Sequence, residues 1–472
     1  MFHDLKPYPG YAASGTWEDL TPAHWRPMSM RALAREVSVT DVPDEPMLSV
    51  SIKRGVTPQS VVLAQSGKRD GSNVDRSSYK LVEPGNLAYN KMRAWQGAAG
   101  LSRYRGIVSP AYVVLRPIAE SVDPMYLHHL LRLPAYAAEA ARWSYGISSD
   151  QWSLRPEHFR QIPVALPPLD EQEAIVRYLA HAHQRINKAI ATKRRLIALL
   201  DEAMQVEVRR MVLHGLDDLV DARETGLDWL PEVPAHWEVS ALRFHYSQEL
   251  GKMLDAKRIT GANLVPYLRN TDVQWGAINT TDLPEMDITE DEYPRYTVRD
   301  GDLLVCEGGE VGRAAIWRGT GTLGFQKALH RLRALDDQRD APQYLFWLLR
   351  CAVWADAFND GRVSTIAHLT GDKLRAHRFP WPSYDEQQEI ATAVNQFVAA
   401  ADTRRDVVQR EVELLEEFRT RLTADVVTGQ VDVRSIAASL PPIDPAEAFT
   451  AAPGSADDEN DEDIADDEQG GA

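Results

Sequence analysis

The chain has 472 residues, of which 44% are hydrophobic and 26% are charged, so it has enough material for two or three globular domains. It has no run of about 18 apolar residues, no secretory start and only two cysteines, so we expect a cytoplasmic protein with no membrane partner, disulfide framework or four-ligand zinc site. The net charge is −17, and eleven of the acidic side chains lie in residues 441–472, so the first 440 residues have a net charge of −6. Local basic clusters can bind phosphate even when the net charge of the chain is negative.

Residues 1–165 are predicted to form a mixed domain of strands and short helices. A strand is expected at 112–115, after Gly-rich turns, and an amphipathic helix over 124–136. Trp25 follows the tripeptide Pro-Ala-His, and we expect it to be a core anchor because a tryptophan buries a large apolar surface.

Residues 166–215 are predicted to form one long helix. Neither proline nor glycine occurs from 170 to 213, and Gly215 stands where a C-terminal cap belongs. Apolar residues recur at steps of three and four, which is typical of a coiled-coil seam, and Lys193 interrupts this seam. Asp170 and Glu171 suit the positive end of the helix dipole.

The second half of the chain repeats the first. Four motifs recur in the same order at spacings of 212 to 218 residues: Pro22–Trp25 as Pro234–Trp237, Gly85–Leu87 as Gly301–Leu303, Tyr126–Leu127 as Tyr344–Leu345, and Asp170–Gln172 as Asp385–Gln387. A collinear series of this kind indicates two copies of one architecture, because the period is far too long for a solenoid.

Residues 216–380 are therefore predicted to be a linker and a second mixed domain, and residues 381–434 a second long helix. The sequence predicts an α+β protein in which two mixed globular domains are joined by two long antiparallel coiled-coil helices, with a pseudo-twofold internal repeat. Residues 435–472 are expected to be a disordered acidic tail, which either solvates the chain or repels non-specific DNA.

Motifs of the common enzyme classes are absent from the sequence. There is no phosphate-binding G-x-x-x-x-G-K-[ST], no Asn/Asp-Pro-Pro-aromatic tetrapeptide, no H-E-x-x-H and no G-x-S-x-G. The glycines of 308–312 are interpreted as a tight turn. The pairs His128-His129 and His181-x-His183 are more simply solvent-facing histidines than metal ligands. We therefore expect no catalytic residue and no metal site on this chain.

Side chains suited to DNA recognition are concentrated in one segment of each half. Arginine and lysine bind guanine O6/N7 or phosphate, and asparagine and glutamine pair with adenine N6/N7. A solvated loop is the simpler interpretation of any single residue, but the two segments together favour DNA contact. The candidates are Asn90, Lys91, Arg93, Trp95, Gln96, Arg103 and Arg105 in the first half, and Arg313, Arg318, Gln326, Lys327 and Arg331 in the second.

Several of these segments resemble those of the DNA-specificity subunits of type I restriction–modification systems. Residues 89–97 and 106–112 resemble their first target-recognition domain, 166–172 the start of the central helical region, and 226–237 the start of the second half. Residues 301–304 and 308–316 resemble a turn of the second recognition domain. The resemblance covers about 7–434, and 381–387 depart from it by lacking the Pro-Pro-Leu form.

The resemblance implies a non-catalytic subunit that recognises a two-part asymmetric sequence in double-stranded DNA through the major groove. It implies two methyltransferase subunits, which bind S-adenosylmethionine, flip an adenine and methylate N6, and motor-nuclease subunits that use ATP and Mg²⁺. This chain then needs no cofactor of its own. The long helices would dock these partners and set the gap between the half-sites.

Three alternatives stay open at this point. The chain could be a helical assembly scaffold that does not bind DNA, although the cationic segment 90–96 argues against this. It could belong to a complex that only methylates, which differs in its other chains. A fused nuclease or methyltransferase is disfavoured by the missing catalytic motifs.

Overall fold

The computed structural model describes residues 5–66, 75–146, 152–217, 219–254, 261–358 and 369–452. They form two compact units: unit 1 comprises 1–194 and 410–472, and unit 2 comprises 195–409. The boundary falls within both long helices, directly after Lys193 and Arg194 in the first. The domain boundaries predicted at 165, 215, 380 and 434 separate the long helices from the mixed domains, whereas the compact units each include part of both helices. These boundaries stay predictions.

The helices differ greatly in length, and two of them exceed 40 residues. In chain order they are α1 (Gln59–Ser66), α2 (Pro124–Leu131), α3 (Pro134–Arg142), α4 (Pro156–Phe159), α5 (Leu169–His214), α6 (Tyr293–Tyr296), α7 (Pro342–Trp354), α8 (Gly371–Ala376), α9 (Tyr384–Val427), α10 (Arg434–Ala438) and α11 (Pro445–Ala451). The single helix predicted over 124–136 is wrong, because Pro134 lacks the N–H that would continue α2 and instead begins α3.

The strands are short and mostly paired antiparallel. Those of unit 1 are β1 (Tyr11–Ala13), β2 (Leu20–Pro22), β3 (Arg26–Ser29), β4 (Ala34–Val37), β5 (Leu48–Ser51), β6 (Gly55–Pro58), β7 (Lys80–Val82), β8 (Leu87–Asn90), β9 (Ala99–Leu101), β10 (Gly106–Val108), β11 (Tyr112–Pro117) and β12 (Pro163–Leu166). Those of unit 2 are β13 (Ala222–Leu227), β14 (Leu230–Pro234), β15 (Glu238–Ala241), β16 (Tyr246–Leu250), β17 (Leu264–Leu268), β18 (Val273–Gln274), β19 (Ala277–Ile278), β20 (Glu285–Asp287), β21 (Leu303–Cys306), β22 (Ala314–Ile316), β23 (Gly324–Phe325), β24 (Leu329–Ala334) and β25 (Arg378–Trp381).

The two units share one sheet topology. The central sheet of unit 1 has the order β4-β11-β8-β9, and that of unit 2 has the order β16-β24-β21-β22. In each, the strand that contains the repeated Gly-x-Leu motif lies at the same place, with Leu87 opposite Leu115 and Leu303 opposite Leu332. The pair β3-β12 corresponds in the same way to β15-β25. The predicted internal repeat is therefore confirmed in three dimensions.

The predicted helices over 170–213 and 385–428 are confirmed as α5 and α9, and within unit 1 they form an antiparallel coiled coil. The seam of α5 is buried at Ile175, Leu179, Ile186 and Ile190. Three polar pairs give the direction: His183 Nε2 with Thr423 Oγ1 at 2.8 Å, Arg419 Nη1 with Asn187 Oδ1 at 2.7 Å, and Lys193 Nζ with Glu411 Oε2 at 2.7 Å. The lysine that interrupts the seam is thus accommodated by an ion pair.

A glutamate carboxylate, buried at Glu171 and half-buried at Glu386, fixes the first turn of each long helix to the repeated tryptophan. Trp25 Nε1 donates to Glu171 Oε1 at 2.8 Å, and Trp237 Nε1 donates to Glu386 Oε1 at 2.9 Å. Both tryptophans are buried, so their prediction as core anchors is confirmed. Glu171 also accepts a hydrogen bond from Tyr8 Oη at 2.6 Å. The acid therefore does more than complement the helix dipole, which is the only role that its position in the sequence suggested.

The glutamine after each carboxylate bridges separate parts of the chain. Gln172 accepts from the Asp123 N–H at 2.8 Å and donates to the Pro167 carbonyl at 2.9 Å. Gln387 makes the equivalent bonds with Ala341 and Pro382, at 2.9 and 3.0 Å. Two of these four bonds occupy backbone groups at the start of α2 and α7, and the other two occupy carbonyls just before α5 and α9, so both repeats are held by the same polar contacts.

The predicted disordered tail from 435 onward is wrong for the part that the structure describes. α10 and α11 lie there, and Ala437, Phe449 and Ala452 are buried in the core of unit 1. Burial of these apolar residues offsets the entropy lost when the segment is ordered. The prediction failed because it rested on the average acidic composition of 435–472. Residues 453–472 lie outside the described residues.

Candidate nucleic-acid interface

Five of the predicted residues of unit 1 lie in the hairpin loop 90–97, between β8 and β9. Asn90 is buried and its Oδ1 accepts the Met92 N–H at 2.9 Å, which closes the start of the loop. A short 3-10 turn, Ala94–Gln96, follows, and Gly97 has a φ of 91°, which favours glycine. The loop is therefore built by its own local contacts, and Asn90 shapes it from inside.

The other four side chains are half-buried on this loop. Trp95 Nε1 donates to the Met92 carbonyl at 2.9 Å, and its ring meets Trp152 edge-to-face with centroids 5.4 Å apart. Arg93 Nη1 donates to Gln96 Oε1 at 3.4 Å. The structure thus brings together Lys91, Arg93, Trp95 and Gln96 as a mixed cationic, aromatic and amide surface.

Trp152 was missed by the sequence reasoning, although it is half-buried directly beside this loop. Its chain segment is attached there by the Leu154 N–H, which donates to the Lys91 carbonyl at 2.8 Å. No local pattern pointed to this position, because 61 residues of sequence separate Lys91 from Trp152. Only the tertiary fold places the two together.

The positive potential of the loop reaches a neighbouring strand. Lys80 of β7 donates from Nζ to the Tyr112 carbonyl at 2.8 Å. Burial lowers the pKa of Lys80, and the nearby positive charge of Lys91 lowers it further. The nearby carboxylate of Glu36 shifts the pKa of Lys80 in the opposite direction, so the charge around this lysine is mixed.

The two arginines after the hairpin have different surroundings. Arg103 is exposed, and its guanidinium lies 5.0 Å from the ring centroid of Tyr104. Arg105 pairs with Glu45 at 2.8 Å and with Glu83 at 3.4 Å. DNA phosphate would therefore have to displace two carboxylates at Arg105.

The equivalent loop of unit 2, residues 307–313, is a tight turn, as the sequence predicted. Gly309 and Gly312 have φ values of 76° and 82°. Arg313 points inward, because its side chain is 15% exposed and Nη2 donates to the Asn270 carbonyl at 3.0 Å. This arginine therefore holds the loop to another segment and presents little of its guanidinium to a ligand.

The remaining predicted residues of unit 2 are spread over the unit. Arg318 is exposed and pairs with Asp300 at 3.4 Å, while Gln326 and Lys327 follow β23 and Lys327 is exposed. Arg331 is 3% exposed, and its Nη1 donates to the Pro294 and Thr297 carbonyls at 3.0 and 2.7 Å. Burial lowers its pKa to about 10. We exclude Arg331 from the interface, because no exposed guanidinium is left to meet a phosphate or a base.

Three of the four histidines expected to face solvent instead form a buried group in unit 1, whereas His181 is half-buried. His128, His129 and His183 are each at most 4% exposed, and consecutive ring centroids lie 5.5 and 5.6 Å apart. His128 Nδ1 accepts the Leu101 N–H at 3.0 Å. Burial lowers the pKa of His129 to about 3, so the ring is neutral near pH 7. Among the residues that the structure describes, no group of His, Cys, Asp and Glu side chains has a metal-binding arrangement.

Comparison with known proteins gives relatives of one kind. The chain is 24% identical over 325 residues to the type I restriction enzyme EcoKI specificity subunit of Escherichia coli (strain K12), covering 67% of this chain and 68% of that protein. It is 21% identical over 345 residues to the MjaVIII specificity subunit of Methanocaldococcus jannaschii, covering 70% and 76%. The chain is thus similar to type I restriction enzyme specificity subunits over about two thirds of its length. No protein-family model matches this chain.

A solved structure supports the fold. A chain from work on complex assembly and conformational transition of the type I restriction–modification system aligns with this chain at a TM-score of 0.64 and 15% identity. The alignment covers 87% of this chain and 99% of that one, so the shared fold includes both units and the long helices. Within the described ranges, none of the helices is long and apolar enough to cross a membrane.

Proposed function

We propose that this chain binds double-stranded DNA and recognises one half of a two-part, asymmetric target with each unit. The observation that carries the proposal is the hairpin loop 90–97, on which Lys91, Arg93, Trp95 and Gln96 share one partly exposed surface. The repeated sheet topology of unit 2 supports a second half-site. Asymmetry of the target follows from the different side chains on the two equivalent loops.

The residues of the loop have distinct proposed roles. Lys91 and Arg93 contact phosphate or the O6/N7 edge of guanine, and Gln96 pairs with the N6/N7 edge of adenine. Trp95 packs against the sugar or the thymine methyl group, supported from behind by Trp152. Asn90 holds the loop in shape, because its amide oxygen is already occupied by the Met92 N–H.

We propose that the long helices dock two methyltransferase subunits and, through them, motor-nuclease subunits. Supporting this, several apolar side chains on the helices are between 39% and 69% exposed: Leu196, Leu199 and Val206 on α5, and Val407, Leu414 and Phe418 on α9. S-adenosylmethionine, ATP and Mg²⁺ belong to those partners, which carry out adenine N6 methylation, translocation and cleavage. This chain supplies no catalytic residue and no cofactor.

The test is methylome sequencing of a methylation-deficient host that expresses the chain with its neighbouring methyltransferase subunit. A single two-part N6-methyladenine motif that depends on this chain is expected. The double variant Lys91→Ala/Arg93→Ala should weaken DNA binding by the assembled complex and lower the salt dependence by about two phosphate contacts. Arg116→Ala/Arg142→Ala is the matched control, since it removes the same charge from exposed positions of unit 1 outside the loop.

A helical assembly scaffold that does not bind DNA is the second candidate function. It is favoured by unit 2, where Arg313 and Arg331 hold backbone carbonyls and Arg318 pairs with Asp300. A soluble complex that forms without any new methylated motif would support this function and would contradict DNA recognition. A methylated motif without cleavage would instead indicate a complex that only methylates.

A further inference from the structure

Glu310 lies at the tip of the loop 307–313, which is the counterpart in unit 2 of the hairpin loop 90–97. Both loops connect the last two strands of the same four-stranded order, β8 to β9 in unit 1 and β21 to β22 in unit 2. Of the seven residues of this loop, all of which the structure describes, only Glu310 has an exposed polar side chain. A base contact made by a side chain at the tip of this loop must therefore come from Glu310.

The backbone of this loop is held in one shape. The Gly312 N–H donates to the Cys306 carbonyl at 3.0 Å, which closes the loop across its base. From outside the loop, Asn270 Nδ2 donates to the Gly308 carbonyl at 2.9 Å. Glu310 is therefore carried by an ordered backbone, which reduces the entropy that is lost when its side chain binds a ligand.

The carboxylate of Glu310 is oriented by an indole from a separate hairpin. Trp275 lies in the turn between β18 and β19, and its Nε1 donates to Glu310 Oε1 at 2.5 Å. The other oxygen, Oε2, lies 3.7 Å from Arg313 Nη1, which is beyond hydrogen-bond distance, and the side chain is 50% exposed. One carboxylate oxygen is thus held in place while the other can accept a hydrogen bond from a ligand.

A guanidinium lies close to the same indole. The Arg350 side chain of α7 is between 5.2 and 5.6 Å from the ring centroids of Trp275, Trp347 and Trp354. Burial lowers the pKa of Arg350, and the nearby carboxylates of Asp402 and Glu310 oppose that shift. A positive charge near Glu310 offsets part of the repulsion that a carboxylate meets from the phosphates of DNA.

We propose that Glu310, positioned by Trp275, recognises a cytosine in the half-site of unit 2 by accepting a hydrogen bond from its N4 amino group in the major groove. The inference rests on the proposed DNA binding of this chain. Guanine and thymine present acceptors at this edge, which repel a carboxylate, and adenine places the N7 acceptor beside its N6 donor. Cytosine presents the N4 donor without such a neighbour. Loop 90–97 contains no carboxylate, so this contact is particular to unit 2.

The experiment measures base preference for the full-length chain in its complex with the methyltransferase subunit. Methylome sequencing first gives the motif of the parent, and Gln96→Ala identifies the half-site of unit 1. Duplexes with each of the four base pairs at every specified position of the other half-site then compete for binding. The parent should prefer C·G at one position by about tenfold. Glu310→Gln should shift that preference to A·T, because an amide pairs with both N6 and N7 of adenine.

Two further variants separate positioning from a general loss of structure. Trp275→Phe keeps an aromatic ring but removes the indole N–H, so it should lower the C·G preference at the same position without shifting it to another base pair. Glu238→Gln is the matched control, since it removes one exposed carboxylate from β15, outside the sheet that carries the loop. It should keep every base preference of the parent. The unfolding temperatures of all variants are compared with that of the parent.

The outcomes distinguish this inference from the proposed function. Unchanged preferences of Glu310→Gln throughout the half-site of unit 2 would overturn the inference and leave DNA recognition by the chain intact. An equal loss of affinity for all duplexes would also overturn it, since that result would assign Glu310 a role that does not depend on sequence. A change confined to the half-site identified by Gln96→Ala would do the same. If the parent complex gives no motif and binds no duplex, the proposed function itself fails.

Discussion

Glu18 is a buried acid for which the second repeat offers an internal comparison. Its side chain is 9% exposed, and its Oε1 has no hydrogen-bond partner in the described part of the chain. Burial raises the pKa of Glu18 to about 8. Counted from the repeated tryptophans, the matching position in unit 2 is Leu230, which is 1% exposed. A carboxyl group thus occupies a site that the same fold elsewhere fills with leucine.

The magnitude follows from the linkage between protonation and folding. The pKa of Glu18 is higher in the folded chain than the ordinary value of 4.5, so between pH 4.5 and 8 the folded state binds the extra proton and stability falls as pH rises. At about 1.4 kcal/mol per pKa unit, the loss reaches up to about 5 kcal/mol near pH 8 and then stays constant. Glu18→Leu should therefore stabilise unit 1 by roughly 2–5 kcal/mol at pH 8 and much less at pH 5.

Scanning calorimetry of the full-length chain between pH 5 and pH 8.5 measures this effect, with about 2–4 °C expected per kcal/mol. Glu18→Gln separates the loss of charge from the gain of apolar packing. Leu230→Glu is the reciprocal control, because it should introduce the same pH-dependent loss into unit 2. If Glu18→Leu shows the same decline of unfolding temperature with pH as the parent, the assignment of this decline to Glu18 is refuted.

Three further predictions concern other buried polar groups. Glu171→Ala should destabilise unit 1 by roughly 2–4 kcal/mol in chemical denaturation, and by more than Glu386→Ala destabilises unit 2; equal losses would contradict this. The reason is that Glu171 is 3% exposed and accepts from Tyr8, whereas the Glu386 side chain is 28% exposed and has no equivalent of the Tyr8 contact within the described ranges. The pKa of His129 is lowered to about 3, so its contribution to the free energy of unfolding is present above pH 6.5 and is lost as pH falls towards 3. His129→Phe should therefore reduce the loss of stability between pH 6.5 and pH 3, and an unchanged loss would count against this role. Arg331→Ala should lower the unfolding temperature because Arg331 is buried, whereas Lys327→Ala should weaken DNA binding without changing stability because Lys327 is exposed. If Arg331→Ala instead weakened DNA binding and left the unfolding temperature unchanged, Arg331 would belong to the interface.

The parts of the fold predicted correctly from the sequence are those encoded by local patterns. The apolar spacing of 170–213 and 385–428 and the absence of proline and glycine were sufficient for α5 and α9. The collinear motifs gave the duplication, and the common sheet order of the two units confirms it. In both cases the information lies within one segment or in the comparison of two segments.

The errors concern side chains whose partners are distant in sequence. Arg331 was expected at the surface, but its acceptors are carbonyls 34 and 37 residues away. Trp152 lies against Trp95 of the hairpin loop, and His129 of α2 meets His183 of α5. α11 is ordered by Asn187 and His128, neither of which is near it in the chain. Such contacts leave no period or motif in the sequence.

The matched polar contacts at the start of α5 and α9 also have a consequence for how the chain folds. Trp25 and Trp237 each donate to a glutamate in the first turn of a long helix, so either carboxylate is a chemically suitable partner for either indole. During synthesis Glu171 emerges roughly 10–40 s before Glu386 at ~5–20 residues per second, and the first pairing forms without competition. Refolding from denaturant presents both carboxylates at once. Unit 1 is nevertheless completed after unit 2, because residues 410–452 belong to unit 1. Until these residues have been synthesised, the apolar seam of α5 that α9 covers in unit 1 stays exposed on the ribosome-bound chain and must be kept from aggregating.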